Sequence, residues 1–470
     1  MSSAPDPGSI PSRPKLRAGV TIGAHFVVDV FSFVGIAVLP MLAVLLDIRP
    51  EQKALLLAMG AVFSGMIQPL VAWASDKLDT RALGTIGFVV AVLCIGNLGM
   101  ARNFTELAIL YSLGAMGVGA FHPPAAATVG QLGGARRSAY VAVFFLAGMV
   151  GGIVGNVFTP MYVGWMTPGA VEATLDTPMI PAGDARQGLL AVRWFIPIGL
   201  LGAFLLARAI HGSGHRHHGA HEHQNSWEPR ERRGRWIAVW VMYASNVLRF
   251  TVNMALVYLF TEWASRSVLE LNQAQELNEQ LGIEASRING MLQASMQIGM
   301  GAGGLTLGFI LAARFEKLVF VVLPMLGALS ITMIPSMSSF DGELARWSVM
   351  GAAVLSGIGF GAVIPVSLSL AQRLLPHRTS LVSGLMLGGA WALSFVGPIG
   401  AEIVQNGLSQ KPSVPSFALK LVDALPSGLR DGLMNGYGLD TTFYCTAVVL
   451  AIAGLIAIFL PHRCILSSAN

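Results

Sequence analysis

The sequence predicts an all-α membrane protein of twelve transmembrane helices in two pseudo-symmetric six-helix bundles, and three observations carry that reading. Hydrophobic residues make up 54% of the 470 and charged residues only 12%, where a soluble globular chain has about 25% charged. Apolar stretches of about 20 residues, the length that crosses a bilayer, recur twelve times, split six and six by a charged segment. The two halves also echo each other at a constant offset. This composition excludes a soluble enzyme, a disordered chain and a nucleic-acid binder.

Residues 1–16 form a polar tail rich in Ser and Pro, with Arg13 and Lys15 just ahead of the first apolar run. No small-residue cleavage site follows a short apolar stretch there, so the first span is expected to stay as an anchor. Spans fall at about 18–46, 53–74, 82–101, 105–131, 138–165 and 188–209, giving an N-terminal bundle over 17–209. They lack period-2 alternation and read as helices, which satisfy their own backbone groups in lipid. Segment 210–235 holds six of the ten histidines and a run of arginines. A solvated cytoplasmic tether and a metal-sensing tract both fit that composition. Six further spans, at about 236–262, 288–312, 318–338, 346–372, 379–405 and 440–461, give a C-terminal bundle over 236–462, and 463–470 is a short cytoplasmic tail. Cys94, Cys445 and Cys464 lack close partners, so neither a disulfide nor a metal site is expected, and no cofactor.

An even number of helices puts both termini on one side. Eighteen of the thirty Lys and Arg fall on the N-terminal side and ten on the other, with Arg193 and Arg249 inside spans. By the positive-inside rule the N-terminal side is cytoplasmic. The expectation is a multi-pass protein of the inner membrane with both termini cytoplasmic.

At an offset of 241 residues Pro124 aligns with Pro365, Gln131 with Gln372, Arg137 with Arg378 and Gly148 with Gly389, each at the same point of a span–basic turn–span unit. Parallel six-span repeats with a substrate site at their interface are an arrangement used by transporters.

The layout resembles the major facilitator superfamily. Ala72-Trp73-Ala74-Ser75-Asp76-Lys77 with Arg81 is similar to its cytoplasmic G-x-x-x-D-R/K signature, with Ala72 in place of the glycine. The equivalent stretch after span 8, Gly308 to Arg314 and Lys317, has Ala313 where the acid is expected. Gly148-x-x-Gly151-x-x-x-Gly155 is similar to the superfamily's antiporter motif, with Asn156 where that motif has proline. Within the superfamily, His25-Phe26-Val27-Val28-Asp29, Phe121-His122-Pro123, Gln68-Pro69 and Ala371-Gln372-Arg373-Leu374-Leu375-Pro376-His377-Arg378 resemble the fosmidomycin-resistance-protein family. That resemblance implies the major facilitator fold and a proton-driven exporter of a drug or small molecule.

Ionisable groups inside spans are functional candidates by default, because lipid penalises them. His25 and Asp29 lie at i, i+4 and share a helix face; they and His122 are the candidates for proton coupling, a structural hydrogen-bonded pair being the alternative. His122 stands beside Pro123 and Pro124, which remove backbone donors next to the ring. Arg249 cannot discharge by losing a proton, so it needs an anion: a substrate, or Asp29 across the interface. Asn246, Asn253, Gln293, Gln297 and Trp391 are candidates to line a substrate cavity with it. Asp76, Lys77, Arg81, Arg137 and Arg378 are candidates for a cytoplasmic gate, and Gly148, Gly151 and Gly155 for a helix-packing motif. Arg193 and Glu402 near the outer span ends are expected to snorkel.

No nucleophile–base arrangement, His-Glu-x-x-His metal spacing or phosphate loop is present, so the chain is not expected to be an enzyme. The expected partners are a small anionic or amphiphilic substrate molecule, protons and the lipid bilayer, with no nucleic acid and a monomeric state. A proton symporter or facilitator importing an organic acid, and a membrane sensor with the His-rich loop as output, are the alternatives.

Overall fold

The structure is a computed structural model that describes residues 13–75, 81–169, 184–210, 229–340, 342–409, 411, 414, 416–462 and 465. Among these residues, nine helices are long and apolar enough to cross a bilayer. They are α1 (Pro14–Ala37), α2 (Pro50–Ala74), α4 (Phe104–Gly133), α5 (Ala139–Met166), α6 (Asp184–Ile210), α9 (Ala313–Met337), α10 (Gly342–Leu374), α11 (Leu381–Asn406) and α12 (Gly438–Phe459). The shorter α3 (Arg81–Gly96), the 43-residue α7 (Pro229–Leu271) and α8 (Glu279–Ile310) complete the twelve. Polar residues such as Asn246, Arg249, Asn253, Asn289 and Gln293 dilute the apolar character of α7 and α8, yet all five are buried.

Local chemistry sets the ends and breaks of these helices. Asn103 caps α4 by accepting from the Glu106 N–H (2.9 Å), and Asn278 caps α8 by accepting from Leu281 (2.9 Å), the bond an N-cap supplies to a donor left free by the first turn. α1 ends at Val38 and resumes as a short helix, Leu39–Leu45. Pro40 has no N–H to offer the carbonyl of Ile36 four residues back. Asn289 of α8 donates there instead, at 2.8 Å. α11 carries a six-residue π-helical turn at Gly384–Gly389, one residue wider than the regular ladder.

α1 packs on α4, α5 and α6, α2 on α4, and α3 on α4 and α6; in the second half α7 packs on α8, α11 and α12, α8 on α10, and α9 on α10 and α12. The two bundles meet along two seams, α2 against α11 and α5 against α8. Each helix of one seam is six helices from its counterpart in the other, as a repeated bundle requires. At the α2–α11 seam only glycine fits at position 65, since a Cβ there would lie 2.6 Å from the Ala392 Cα.

The end of the molecule that carries the α1–α2 and α7–α8 connections is shut. Besides the Asn289 bond, the Met41 N–H donates to Ser286 Oγ (3.1 Å), the Ala185 N–H donates to the Glu279 carboxylate (3.1 Å), and Lys53 pairs with Glu262. Each of these joins the first bundle to the second.

Candidate functional site

The cluster centred on Asp29 is assembled by three helices. α1 supplies His25 and Asp29 on one face, α4 supplies His122, and α5 brings its backbone close enough to hold them. A Cβ at Gly148 would stand 2.5 Å from both Asp29 Oδ2 and His25 Nε2, so glycine is what lets α5 approach. The His25 ring stacks on Phe144 (centroids 3.8 Å apart, 16° between planes) and meets the His122 ring edge-on at 4.9 Å.

Both imidazoles are oriented by backbone carbonyls. His25 Nδ1 lies 2.6 Å from the Phe144 oxygen, and His122 Nδ1 lies 2.7 Å from the Val118 oxygen. A carbonyl only accepts, so each Nδ1 carries the hydrogen and each Nε2 is left to face the carboxylate. The Nε2 atoms stand 3.4 Å (His25) and 3.5 Å (His122) from different oxygens of Asp29. The ligand atoms of all three side chains lie within 4.8 Å of one another: three electron-pair donors converge where a small cation would sit. Asp29 keeps 15% of its side-chain surface open and His122 26%, while His25 is closed off at 2%. One turn further along, Phe33 of α1 and Gln297 of α8 both crowd Gly152, so the cluster occupies the face of the first bundle that turns toward the second.

Residues 21–398 match the sequence profile of the Major Facilitator Superfamily. The chain belongs to that superfamily. It is 21% identical over 411 residues to the fosmidomycin resistance protein of Escherichia coli (strain K12), covering 86% of this chain and 91% of that one. Its fold is similar to the crystal structure of a bacterial homolog of the human lysosomal transporter Spinster in an inward-facing, unoccupied conformation, with TM-score 0.66, 16% identity, and 98% and 99% of the two chains covered. It is also similar to a proton-dependent oligopeptide transporter, with TM-score 0.63, 13% identity, and 97% and 100% covered. A facilitator of this architecture is a multi-pass membrane protein of a transporter family.

In this superfamily member Arg249 does not meet Asp29. It is fully buried inside the C-terminal bundle, where Nη2 donates to Ser245 Oγ (2.6 Å) and the guanidinium lies over the Phe320 ring at 5.1 Å. Helical phase is the reason: Arg249 points to α9 and α12, away from the interface between bundles. The expected cavity set is equally dispersed. Asn246 bonds Ser367 (2.9 Å), Gln293 bonds the Val257 carbonyl and Asn289 (3.1 Å each), Trp391 packs edge-on against Phe250, and Asn253 is buried. Of this group Gln297, at Gly152, lies at the α5–α8 seam between bundles, and among the described residues its Oε1 has no partner.

Among the expected gate residues, Asp76 and Lys77 lie outside the described residues, as do the side chains of Arg81 and Arg137. Arg378 lies over the Trp236 ring at 5.7 Å, within its own bundle. The stretch after span 8 does have an acid: Glu316 stands three residues beyond Ala313 and pairs with Arg373. Gly151 and Gly155 press on the Phe26 and Val30 carbonyls of α1. Glu402 does not snorkel; it is buried and paired with Lys411. Most of segment 210–235 lies outside the described residues, as does Cys464, while Cys94 and Cys445 are free thiols.

Sequence reasoning missed the shut end altogether. Lys53 and Glu262 sit at span edges, and nothing in the sequence around either one pairs them across 209 positions. A signal existed in Ser286 and Asn289, polar residues on the N-terminal part of α8 that face the break after α1.

Proposed function

We propose that this chain is a secondary active transporter of the inner membrane that moves a small anionic or amphiphilic molecule by alternating access, as a proton-coupled exporter. The observation that supports this reading is the Asp29 cluster. Two bare Nε2 lone pairs set against a carboxylate repel, so the cluster calls for a positive charge between them, and in this reading protons supply it. Loading and unloading them changes the charge on the face of one bundle that meets the other. The charge difference then biases how the bundles rock about the α2–α11 and α5–α8 seams.

Both termini are cytoplasmic in this reading, so the shut end faces outward and the conformation is inward-facing. Asp29 and His122 accept protons through their partly open surface, and Asp76, Lys77, Arg81, Arg137 and Arg378 act at the cytoplasmic gate. Export as the direction, and a drug or metabolite as the substrate, follow from the likeness to a protein named for drug resistance. The transporter works as a monomer.

Reconstitution into proteoliposomes with an imposed pH gradient tests this, using a panel of anionic and lipophilic compounds and a trapped pH dye. Addition of a substrate should shift the interior pH, and Asp29→Asn should abolish that shift. Substrate movement with an unchanged interior pH would make the protein a uniporter and overturn the coupling.

A further inference from the structure

The spacing within the Asp29 cluster is wider than hydrogen bonds would set. A charge-assisted N–H···O bond between an imidazolium and a carboxylate runs about 2.7–2.9 Å. The Nε2 atoms of His25 and His122 stand instead 3.4 Å and 3.5 Å from the Asp29 oxygens. An ion bound at about 2.0–2.2 Å by each of four ligands holds neighbouring ligand atoms about 3.3 Å apart. The gap therefore has the size of a coordinated ion, and all three ligand atoms lie within 4.8 Å of one another. Among the described residues no lysine or arginine pairs with Asp29; its ion partners are the two rings.

We infer that His25 Nε2, His122 Nε2 and the Asp29 carboxylate form a binding site for one divalent transition-metal ion of the Zn2+ class. The inference goes beyond the transporter reading and stands without it. Two imidazoles to one carboxylate favour Zn2+, Co2+ or Ni2+ over Mg2+ and Ca2+, which take oxygen ligands. Three protein ligands leave a fourth position open, as in sites that exchange what they bind. The outer shell is already in place. Each ring gives its Nδ1 hydrogen to a backbone carbonyl, His25 to Phe144 at 2.6 Å and His122 to Val118 at 2.7 Å. Metal-ligating imidazoles are held in this way, with the other nitrogen's lone pair presented to the ion. Stacking on Phe144 fixes the His25 ring, and Gly148 lets α5 close over the carboxylate. Entry is from the side of Asp29 and His122, which stay partly open while His25 is buried. Ion and protons claim the same lone pairs, so the ion occupies the cluster when the protons have left it. No metal motif is visible along the chain because the i, i+4 pair on α1 supplies two ligands and the third comes from α4, packed against it.

The test uses the full chain purified without a polyhistidine tag, with the six histidines of segment 210–235 replaced by serine so that the loop contributes no ligands. Equilibrium dialysis against micromolar Zn2+ should leave about one ion per chain, and dialysis against Mg2+ none. Asp29→Asn and His122→Asn, each in that background, should weaken zinc binding by at least about tenfold. X-ray absorption of the zinc-loaded background protein should show two imidazoles and at least one oxygen in the first shell. Should either variant fail to fold, that spectrum decides by itself. The site is overturned if no zinc is retained, if both variants bind zinc as the background does, or if the first shell holds thiolates or fewer than two imidazoles. The pH-dye assay above is independent: proton-coupled flux without zinc binding removes this site and leaves the transporter reading, and zinc binding without such flux does the reverse.

Discussion

Lys53 on α2 and Glu262 on α7 form an ion pair between the two bundles at the shut end, with side chains only 10% and 13% open. A pair this enclosed differs from a solvated surface bridge. Removing one partner leaves a poorly hydrated charge behind, and the closed arrangement loses its advantage. Lys53→Ala should therefore shift the population toward opening of that end by about 1–2 kcal/mol, discounted from the figure for a fully buried pair. A cysteine introduced at Val44 in a background lacking the native cysteines should react with an impermeant maleimide about tenfold faster in the Lys53→Ala protein. Equal labelling rates would show that the pair does not hold the end shut.

Not every helix glycine has the same part to play. At Gly151 a Cβ would be driven into the Phe26 carbonyl, and at Gly148 into the Asp29 carboxylate and the His25 ring; at Gly351 nothing lies within 4 Å. A backbone carbonyl cannot step aside, so Gly151→Ala should destabilise by about 1–3 kcal/mol. Gly351→Ala should be neutral or stabilising by up to about 1 kcal/mol, because alanine favours the helix. Thermal unfolding of the two variants side by side checks the contrast.

The two histidines should separate in their effects. His25 is enclosed and stacked on Phe144, whereas His122 keeps a quarter of its side-chain surface open. Replacing His25 with Asn should lower both the thermal midpoint and the flux. Replacing His122 with Asn should lower the midpoint less than the His25 replacement does and change the dependence of flux on the proton gradient. Indistinguishable midpoints for the two variants would contradict the burial argument.

Deleting residues 212–226 separates a transporter from a sensor. On the tether reading of its composition, flux should stay within about twofold of wild type, since connection length carries little free energy. Loss of a metal-dependent response, with flux itself unaffected by metal in the intact chain, would favour the sensor.

Much of this was legible in one dimension. The His25–Asp29 pair could be read from a four-residue spacing, since it depends on neighbours within a turn, whereas the apolar run at 18–46 continues straight through the break that the structure places after Ala37. The cluster's third member, His122, was visible as an oddity beside two prolines, but its distance from Asp29 was not. Arg249 shows the limit from the other side. The sequence says that it needs an anion and leaves two candidates, and the fold removes Asp29 by turning that face of α7 into its own bundle.

The amino-acid order alone determined that twelve helices cross a membrane in two related sets, because hydropathy, helix length and loop charge are local quantities. Only the tertiary structure decided which buried charges meet: Asp29 with two histidines, Lys53 with Glu262, and Arg249 with no charged partner among the described residues. Those pairings depend on the rotation of each helix about its axis and on the close approach that single glycines permit, and rotations of this kind follow from packing against partners distant in the chain.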